Sequence, residues 1–194
     1  MGYALSVLIG LMIGFLTAKF KYLDDNLRPL ILGLLTLPNI CWVPFAILWY
    51  GLNNNVVLFI IIIGSACAIT IATVSGIKNI DPIFIRASRT MEAKGYKLYS
   101  NVILPAALPE IISGMKQGWS FAWRGLIAGE MLVAAKGLGQ ILMIGREMSN
   151  INQVAAVMIV IILIGLGIDK LILIPLKTTS DTGGDCSDRF VEIP

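Results

Sequence analysis

The stretch VVLFIIIIGSACAITIATVSGI, residues 56–77, decides the fold class because none of its 22 residues carries a charge. About 20 mostly apolar helical residues cover the roughly 30 Å hydrocarbon core of a bilayer. Residues 30–52 form a second uncharged run of this length. The chain is 57% hydrophobic and 14% charged, with a mean hydropathy of +0.83. These values are typical of an integral membrane protein rather than a soluble domain.

Three further apolar stretches complete a predicted bundle of five membrane-spanning helices. Residues 3–18 form a short one, residues 109–134 include ionisable side chains, and residues 153–174 carry Asp169 and Lys170 near their end. The sequence therefore predicts an all-α, polytopic membrane protein.

The distribution of basic residues predicts the orientation, because Lys and Arg accumulate in cytoplasmic connections. Nine of them fall in or beside two connections: Lys19, Lys21 and Arg28 in one, and Lys78, Arg86, Arg89, Lys94, Lys97 and Lys116 in the other. The opposite connections, 51–55 and 135–152, hold only Lys136 and Arg146. The N-terminus is therefore predicted outside and the C-terminus inside.

Several function classes are disfavoured by composition. The net charge of +3 follows from the loop asymmetry and indicates no nucleic-acid partner. The chain has no histidine, which excludes Ser-His and Cys-His nucleophiles and histidine metal sites. Cys41, Cys67 and Cys186 lack metal-ligand spacing, and there is no Gly-rich phosphate loop. The sequence therefore predicts no catalytic residues, no metal and no cofactor, so any energy source lies in another protein.

The long cytoplasmic connection is predicted to contain two short helices. Asp81 before Pro82 is typical of a helix start, and Gly95 suits the residue that ends it. The resulting helix, 82–94, reaches only about 20 Å and cannot span. Its apolar residues recur at helical spacing beside a basic face: Ile83, Phe84, Ala87 and Met91.

A second helix is predicted over 96–103, and Pro105 is expected to push Leu104 out of the helical region, so that the chain turns there. Two interpretations of the basic amphipathic connection remain open. It could lie on anionic lipid headgroups, as such helices often do, or it could dock onto a soluble partner.

Four segments resemble permease subunits of ABC importers, in the nitrate, sulfonate and taurine branch with the MetI-like fold. They are TLPNICWVPFAILWYGL (36–52), SGIKNIDP (75–82), RASRTMEAKGYKLYSNVILPAALPEIISGMKQGWSFAWRGLIAGEML (86–132) and KGLGQIL (136–142). The resemblance covers residues 3–177 and implies a MetI-like transmembrane domain over 1–177. It also implies a coupling loop at 77–108.

In that family the coupling loop docks onto a separate cytoplasmic ATPase. The resemblance, with the helix prediction for Gly95, assigns this role to Arg86, Ala87, Ser88, Arg89, Met91, Glu92, Ala93, Gly95, Leu104 and Pro105. It further implies a second permease copy, an external substrate-binding protein, alternating access and a prokaryotic plasma membrane. Two positions depart from the family pattern, since Arg86 stands where an acidic residue is usual and Glu92 where glycine is usual.

The predicted helix 109–134 carries a ridge of small residues within about 80° of one another at 3.6 residues per turn. They are Gly114, Gly118, Ala122, Gly125 and Gly129. Such a ridge predicts close approach of another helix.

The same helix carries the candidates for a translocation pathway: Arg124, Glu130 and Trp123. Arg124 and Glu130 lie about 120° apart around the helix, so each needs a different neighbour. Arg124 could meet an oxyanion through its planar fork of donors, or it could be held by backbone carbonyls or a neighbouring subunit. Trp119 and Trp123 are expected to pack or anchor rather than bind ligand.

The ends of the chain carry two expectations. Five predicted spans starting at Met1 suggest that the first family helix is missing, and the polar tail 178–194 is predicted to be disordered.

A stand-alone carrier or channel, or a truncated inactive permease copy, remains an alternative to an importer subunit. An integral membrane enzyme is disfavoured, since clustered carboxylates are lacking.

Overall fold

The structure, a computed structural model, describes residues 2–80, 83, 86, 102–133 and 136–184, with the backbone alone for 169 and 171–184. The regular elements described are all helical, which confirms the predicted fold class. They are α1 (Gly2–Lys19), α2 (Lys21–Thr36), a 3-10 turn (Asn39–Cys41), α3 (Trp42–Tyr50), α4 (Asn54–Lys78), α5 (Leu104–Val133), α6 (Leu138–Glu147) and α7 (Ile151–Gly184).

Three of these segments are long and apolar enough to cross a membrane by themselves: Gly2–Lys19, Asn54–Lys78 and Ile151–Ile168. Two further segments reach that length only as bent pairs. One pair is α2 with Asn39–Tyr50, bent by 90°, and the other is α5 with α6, bent by 50°. Counting each bent pair as one span gives five.

Helix α4 is the centre of the bundle, with 13 of its 25 residues buried. Helix α1 packs on it through a stripe spaced by four, four and three residues: Ser6, Gly10, Gly14 and Thr17. The Thr70 hydroxyl donates a hydrogen bond of 3.1 Å to the Gly10 carbonyl across this contact. Helix α5 also packs along α4, so α4 contacts both helices. The sequence interpretation missed the α1 stripe, although its helical spacing was visible.

The helix predicted to span the membrane over 30–52 is broken in its middle, although the two parts together still have the length of one span. Helix α2 ends at Thr36, and Leu37 is extended, with φ −75° and ψ 125°. Pro38 explains the break, since a proline disfavours helical geometry in the residue before it and supplies no N–H to continue the ladder.

The predicted turn at Leu104 is also wrong, because Leu104 is the first residue of α5. Pro105 lies in the first helical turn, where a backbone N–H would lack an intrahelical acceptor in any case. The chain is already helical at residues 102 and 103.

The tail differs from its prediction over residues 178–184, where the backbone continues α7. Extending an existing helix by one residue costs far less than nucleating one, which accounts for helix in a polar segment. Residues 185–194 lie outside the described residues. Most of the predicted helices 82–94 and 96–103 also lies outside them, and residues 83 and 86 are helical.

Candidate functional site

The small-residue ridge of α5 faces α4 along its length. All five members are buried: Gly114, Gly118, Ala122, Gly125 and Gly129. A Cβ added to Gly118 would lie 2.8 Å from Ile69 Cγ1, and one added to Gly114 would overlap the Cβ of Ala72. The two helices therefore approach so closely that side chains would separate them.

The break between α2 and α3 lies against the middle of α4. A Cβ added to Gly64, close to the centre of Asn54–Lys78, would lie 2.8 Å from the Asn39 amide nitrogen. That amide nitrogen donates a hydrogen bond of 3.0 Å to the Phe121 carbonyl of α5. Asn39 therefore fastens the broken segment between α4 and α5. The sequence interpretation missed this residue, although proline and asparagine are both residues that favour turns.

A cavity of about 320 Å³ opens at this break. One side is formed by residues 35–40, and the other by Phe121, Arg124 and Ala128 of α5. Of the three translocation-pathway candidates, Arg124 is therefore the one that lines this cavity.

The Arg124 side chain is held by its own helix. Its Nε donates a hydrogen bond of 3.1 Å to the Ser120 carbonyl, and its guanidinium carbon lies 4.9 Å from the centroid of the Phe121 ring. These contacts orient the guanidinium but do not neutralise it. Within the described ranges no carboxylate lies in ion-pair distance of Arg124. A counter-ion for Arg124 would therefore have to come from outside these ranges.

Glu130 has a different neighbour, at the turn between α5 and α6. Its Oε2 accepts a hydrogen bond of 3.0 Å from the Gly139 N–H in the first turn of α6. A Cβ added to Gly139 would lie 2.6 Å from the Ile127 carbonyl oxygen, and one added to Gly137 would overlap the Glu130 carboxylate. Glu130 therefore stabilises the start of α6, where a negative charge is favourable, and it does not line the cavity.

Replacing Glu130 with alanine is expected to loosen α6 without unfolding the bundle. The loss of a helix-start acceptor costs about 1 kcal/mol, so amide hydrogen exchange at Gly139 should accelerate about fivefold. Glu147→Ala at the other end of α6 is the control, since Glu147 is exposed. Equal exchange rates at Gly139 in the two variants would show that the carboxylate does not hold this turn.

Trp123 packs between helices. Its ring stacks on that of Trp119 at a centroid distance of 6.3 Å, and a Cβ added to Gly165 of α7 would lie 3.2 Å from its Nε1. The residue therefore contributes to the contact between α5 and α7 rather than to the cavity.

An ion pair that the sequence interpretation missed joins Asp24, in the first turn of α2, to Lys78, in the last turn of α4. Asp24 is 6% exposed, and its Oδ1 accepts no hydrogen bond. Because the partners are 54 positions apart, no local pattern indicates the pairing. The contact places these two helix ends, both predicted to be cytoplasmic, side by side.

The predicted ATPase-coupling residues are described in part. Arg86 is exposed and helical, Leu104 is half-buried and Pro105 is exposed. The others lie outside the described residues: Ala87, Ser88, Arg89, Met91, Glu92, Ala93 and Gly95. Gly76, near the end of α4, packs on the start of α5, where an added Cβ would lie 3.2 Å from the Ala107 carbonyl oxygen. The connection 81–101 therefore leaves and re-enters the bundle at neighbouring points.

Metal chemistry finds no support in the part of the chain that the structure describes. No group of three or more Cys, Asp or Glu side chains converges there in a way that could hold an ion.

Comparison with known proteins agrees with this architecture. The family model described as "Binding-protein-dependent transport system inner membrane component" matches residues 6–174. A putative ABC transporter permease protein of Methanocaldococcus jannaschii is 35% identical over 170 residues, which cover 87% of this chain and 64% of the relative.

Two other relatives carry substrate names. A putative aliphatic sulfonates transport permease protein of Bacillus subtilis is 33% identical over 165 residues, covering 85% of this chain and 60% of the relative. A nitrate import permease protein of Synechocystis is 26% identical over 171 residues, covering 88% and 62%. The chain thus spans about three fifths of the length of these relatives.

Proposed function

Because the chain belongs to the family of binding-protein-dependent transport system inner membrane components, we propose that it is the membrane-spanning subunit of an ATP-driven importer. The observation that carries the proposal is the family match over residues 6–174. The bundle of apolar helices supports it, since these helices have the length and composition of membrane spans. Solute crosses by alternating access, and ATP hydrolysis belongs to a separate subunit.

The transported solute is proposed to be a small oxyanion. Relatives named for aliphatic sulfonates, nitrate and bicarbonate support this class. An arginine beside a cavity in α5 supports it independently, because a guanidinium presents a planar fork of donors to an oxyanion.

Coupling to the ATPase is assigned to the connection between α4 and α5. The close packing of these two helices makes them one unit, so a displacement of the connection moves both of them. This coupling does not depend on the predicted turn at Leu104, because Leu104 and Pro105 both lie inside α5.

A second permease copy and an external binding protein complete the proposed assembly. Helix α7 exposes apolar side chains that lipid or a second copy would cover, among them Ile159, Ile162 and Leu163. The proposed location is the plasma membrane of a prokaryote.

The importer is tested by replacing Met91 or Ala87 with arginine and purifying the tagged chain in mild detergent. Each replacement puts a charge on the predicted apolar stripe, so the co-purified ABC ATPase should fall at least tenfold. Tyr22→Arg is the control, since Tyr22 is 82% exposed on α2 and lies outside the connection. Unchanged recovery of the ATPase with all three variants would contradict docking through this connection, and anion uptake without nucleotide would favour a carrier.

A further inference from the structure

The break between α2 and α3 places irregular backbone at the depth of the bilayer centre, since Asn39 packs on Gly64 in the middle of α4. Irregular backbone at this depth is tolerated only where protein buries it or where it lines a water-filled cavity. Thr36 and Ile40 are exposed and line the cavity at the break. The described residues of this chain therefore leave this wall of the break uncovered, as the second condition requires.

Arg124 lies within the same apolar layer. Gly125 packs on Ile60, whose Cγ2 would lie 3.2 Å from an added Cβ. Ile60 is six residues from the centre of Asn54–Lys78, or about 9 Å along the helix axis, whereas the hydrocarbon layer extends about 15 Å from its centre. A charge at this depth is costly, and such residues usually face a partner or a water-filled pathway.

The remaining donors of Arg124 suit an anion. Ser120 occupies Nε, and Phe121 lies against the guanidinium, so the two terminal nitrogens remain for a ligand within the described ranges. Neighbouring walls are apolar, including Leu37, Pro38 and Ala128. A cavity of about 320 Å³ that combines one exposed cation, two polar residues (Thr36 and Asn39) and otherwise apolar walls matches a small ligand that has an anionic head.

We propose that this cavity is the intramembrane binding site of the transported oxyanion, and that the terminal nitrogens of Arg124 bind its oxygens. The proposal rests on the proposed importer function, which it extends by placing the anion at a particular helix break. Residues 35–40 form the wall facing Arg124, and rearrangement of this wall between states would release the anion.

The site is tested by charge-selective labelling of Thr36→Cys in native membranes that carry the full assembly. Cys41, Cys67 and Cys186 are first replaced by serine. With each rate divided by the same reagent's rate on a small thiol in solution, an anionic, sulfonate-bearing methanethiosulfonate should then react with Cys at position 36 about tenfold faster than a cationic one, because the guanidinium attracts it. Methanesulfonate or nitrate at saturating concentration should slow this labelling several-fold. Arg124→Gln should abolish both the preference and the protection.

The matched control is Leu163→Cys, whose parent side chain is 63% exposed on the apolar face of α7. Its labelling should not depend on Arg124 or on added anion. Equal rates of the two reagents at position 36 after this correction, failure of both to react, or protection that survives Arg124→Gln would each overturn the site.

The experiment distinguishes failure of the importer proposal from failure of the site proposal, because labelling needs no ATP hydrolysis. An absent ATPase together with anion-selective labelling would contradict the importer alone. A bound ATPase with labelling that ignores charge would contradict the site alone.

Discussion

Gly114→Ala is expected to destabilise the bundle by about 3 kcal/mol, at the upper end for overpacking by a single methyl group. The new Cβ would overlap the Cβ of Ala72, and the nearest backbone atom, Ala72 Cα, would lie 3.5 Å away. Neither partner has a flexible side chain that could turn aside. The helices α4 and α5 must separate, and the separation would weaken the contacts on both sides of Gly114.

The compensating change is Ala72→Gly, which removes the atom that clashes. The double variant moves one methyl group from α4 to α5 and should recover most of the lost stability. Recovery is measured as a double-mutant cycle from unfolding in detergent, with a coupling energy of about 2 kcal/mol expected for residues in direct contact. The cycle isolates the contact between the two helices from general effects of each substitution.

Gly33→Ala is the control, because nothing lies within 4 Å of the Cβ it would add. In a helix interior this change should be neutral or slightly stabilising, since alanine has the higher helix propensity. A Gly114→Ala variant as stable as Gly33→Ala would mean that α4 and α5 do not pack closely at this point. The proposal that they move as one unit would then lose its support.

The contact between α4 and α5 illustrates what the sequence makes predictable. Small residues at a helical period on α5 indicate a closely packed face, and they lie against α4 in the structure. Their pattern could not identify the partner, because α1 and α4 also carry small residues. The identity of the partner depends on the packing of the whole bundle rather than on any one segment.

The break between α2 and α3 was not predicted, because the span was located by its hydropathy. Residues 30–52 are uncharged throughout, and hydropathy summed over such a length is insensitive to one residue that interrupts the helix. Pro38 and Asn39 carried the local signal. The cavity that results needs a long-range fact as well, namely that Arg124 lies across from the break. The residues that line this cavity could therefore not be predicted from the sequence.

Lys78→Met is expected to destabilise the protein by about 3 kcal/mol, since removing one partner leaves a buried charge uncompensated. The Lys78 ammonium is paired with Asp24 Oδ2, and Asp24 Oδ1 has no partner. After the substitution neither oxygen of a carboxylate that is 6% exposed would be neutralised. The expected destabilisation is at the lower end of the range for breaking a buried ion pair, because the Lys78 side chain is 34% exposed and water already reaches it.

The double variant Asp24→Leu with Lys78→Met should be more stable than Lys78→Met alone, because replacing a buried ion pair by apolar groups often changes the stability little.

Lys21→Met is the control for loss of a basic charge, since Lys21 is exposed at the start of α2. If Lys78→Met and Lys21→Met unfold at the same temperature, the Asp24 carboxylate has found water and the pair does not hold α2 to α4. If Lys78→Met is selectively destabilised and the double variant recovers, the pair joins these helices beside the start of the connection between α4 and α5. Uptake by the recovered variant then separates the two roles: normal uptake means that the pair contributes only to stability, whereas lost uptake on a stable fold would assign it to the proposed coupling with an ATPase.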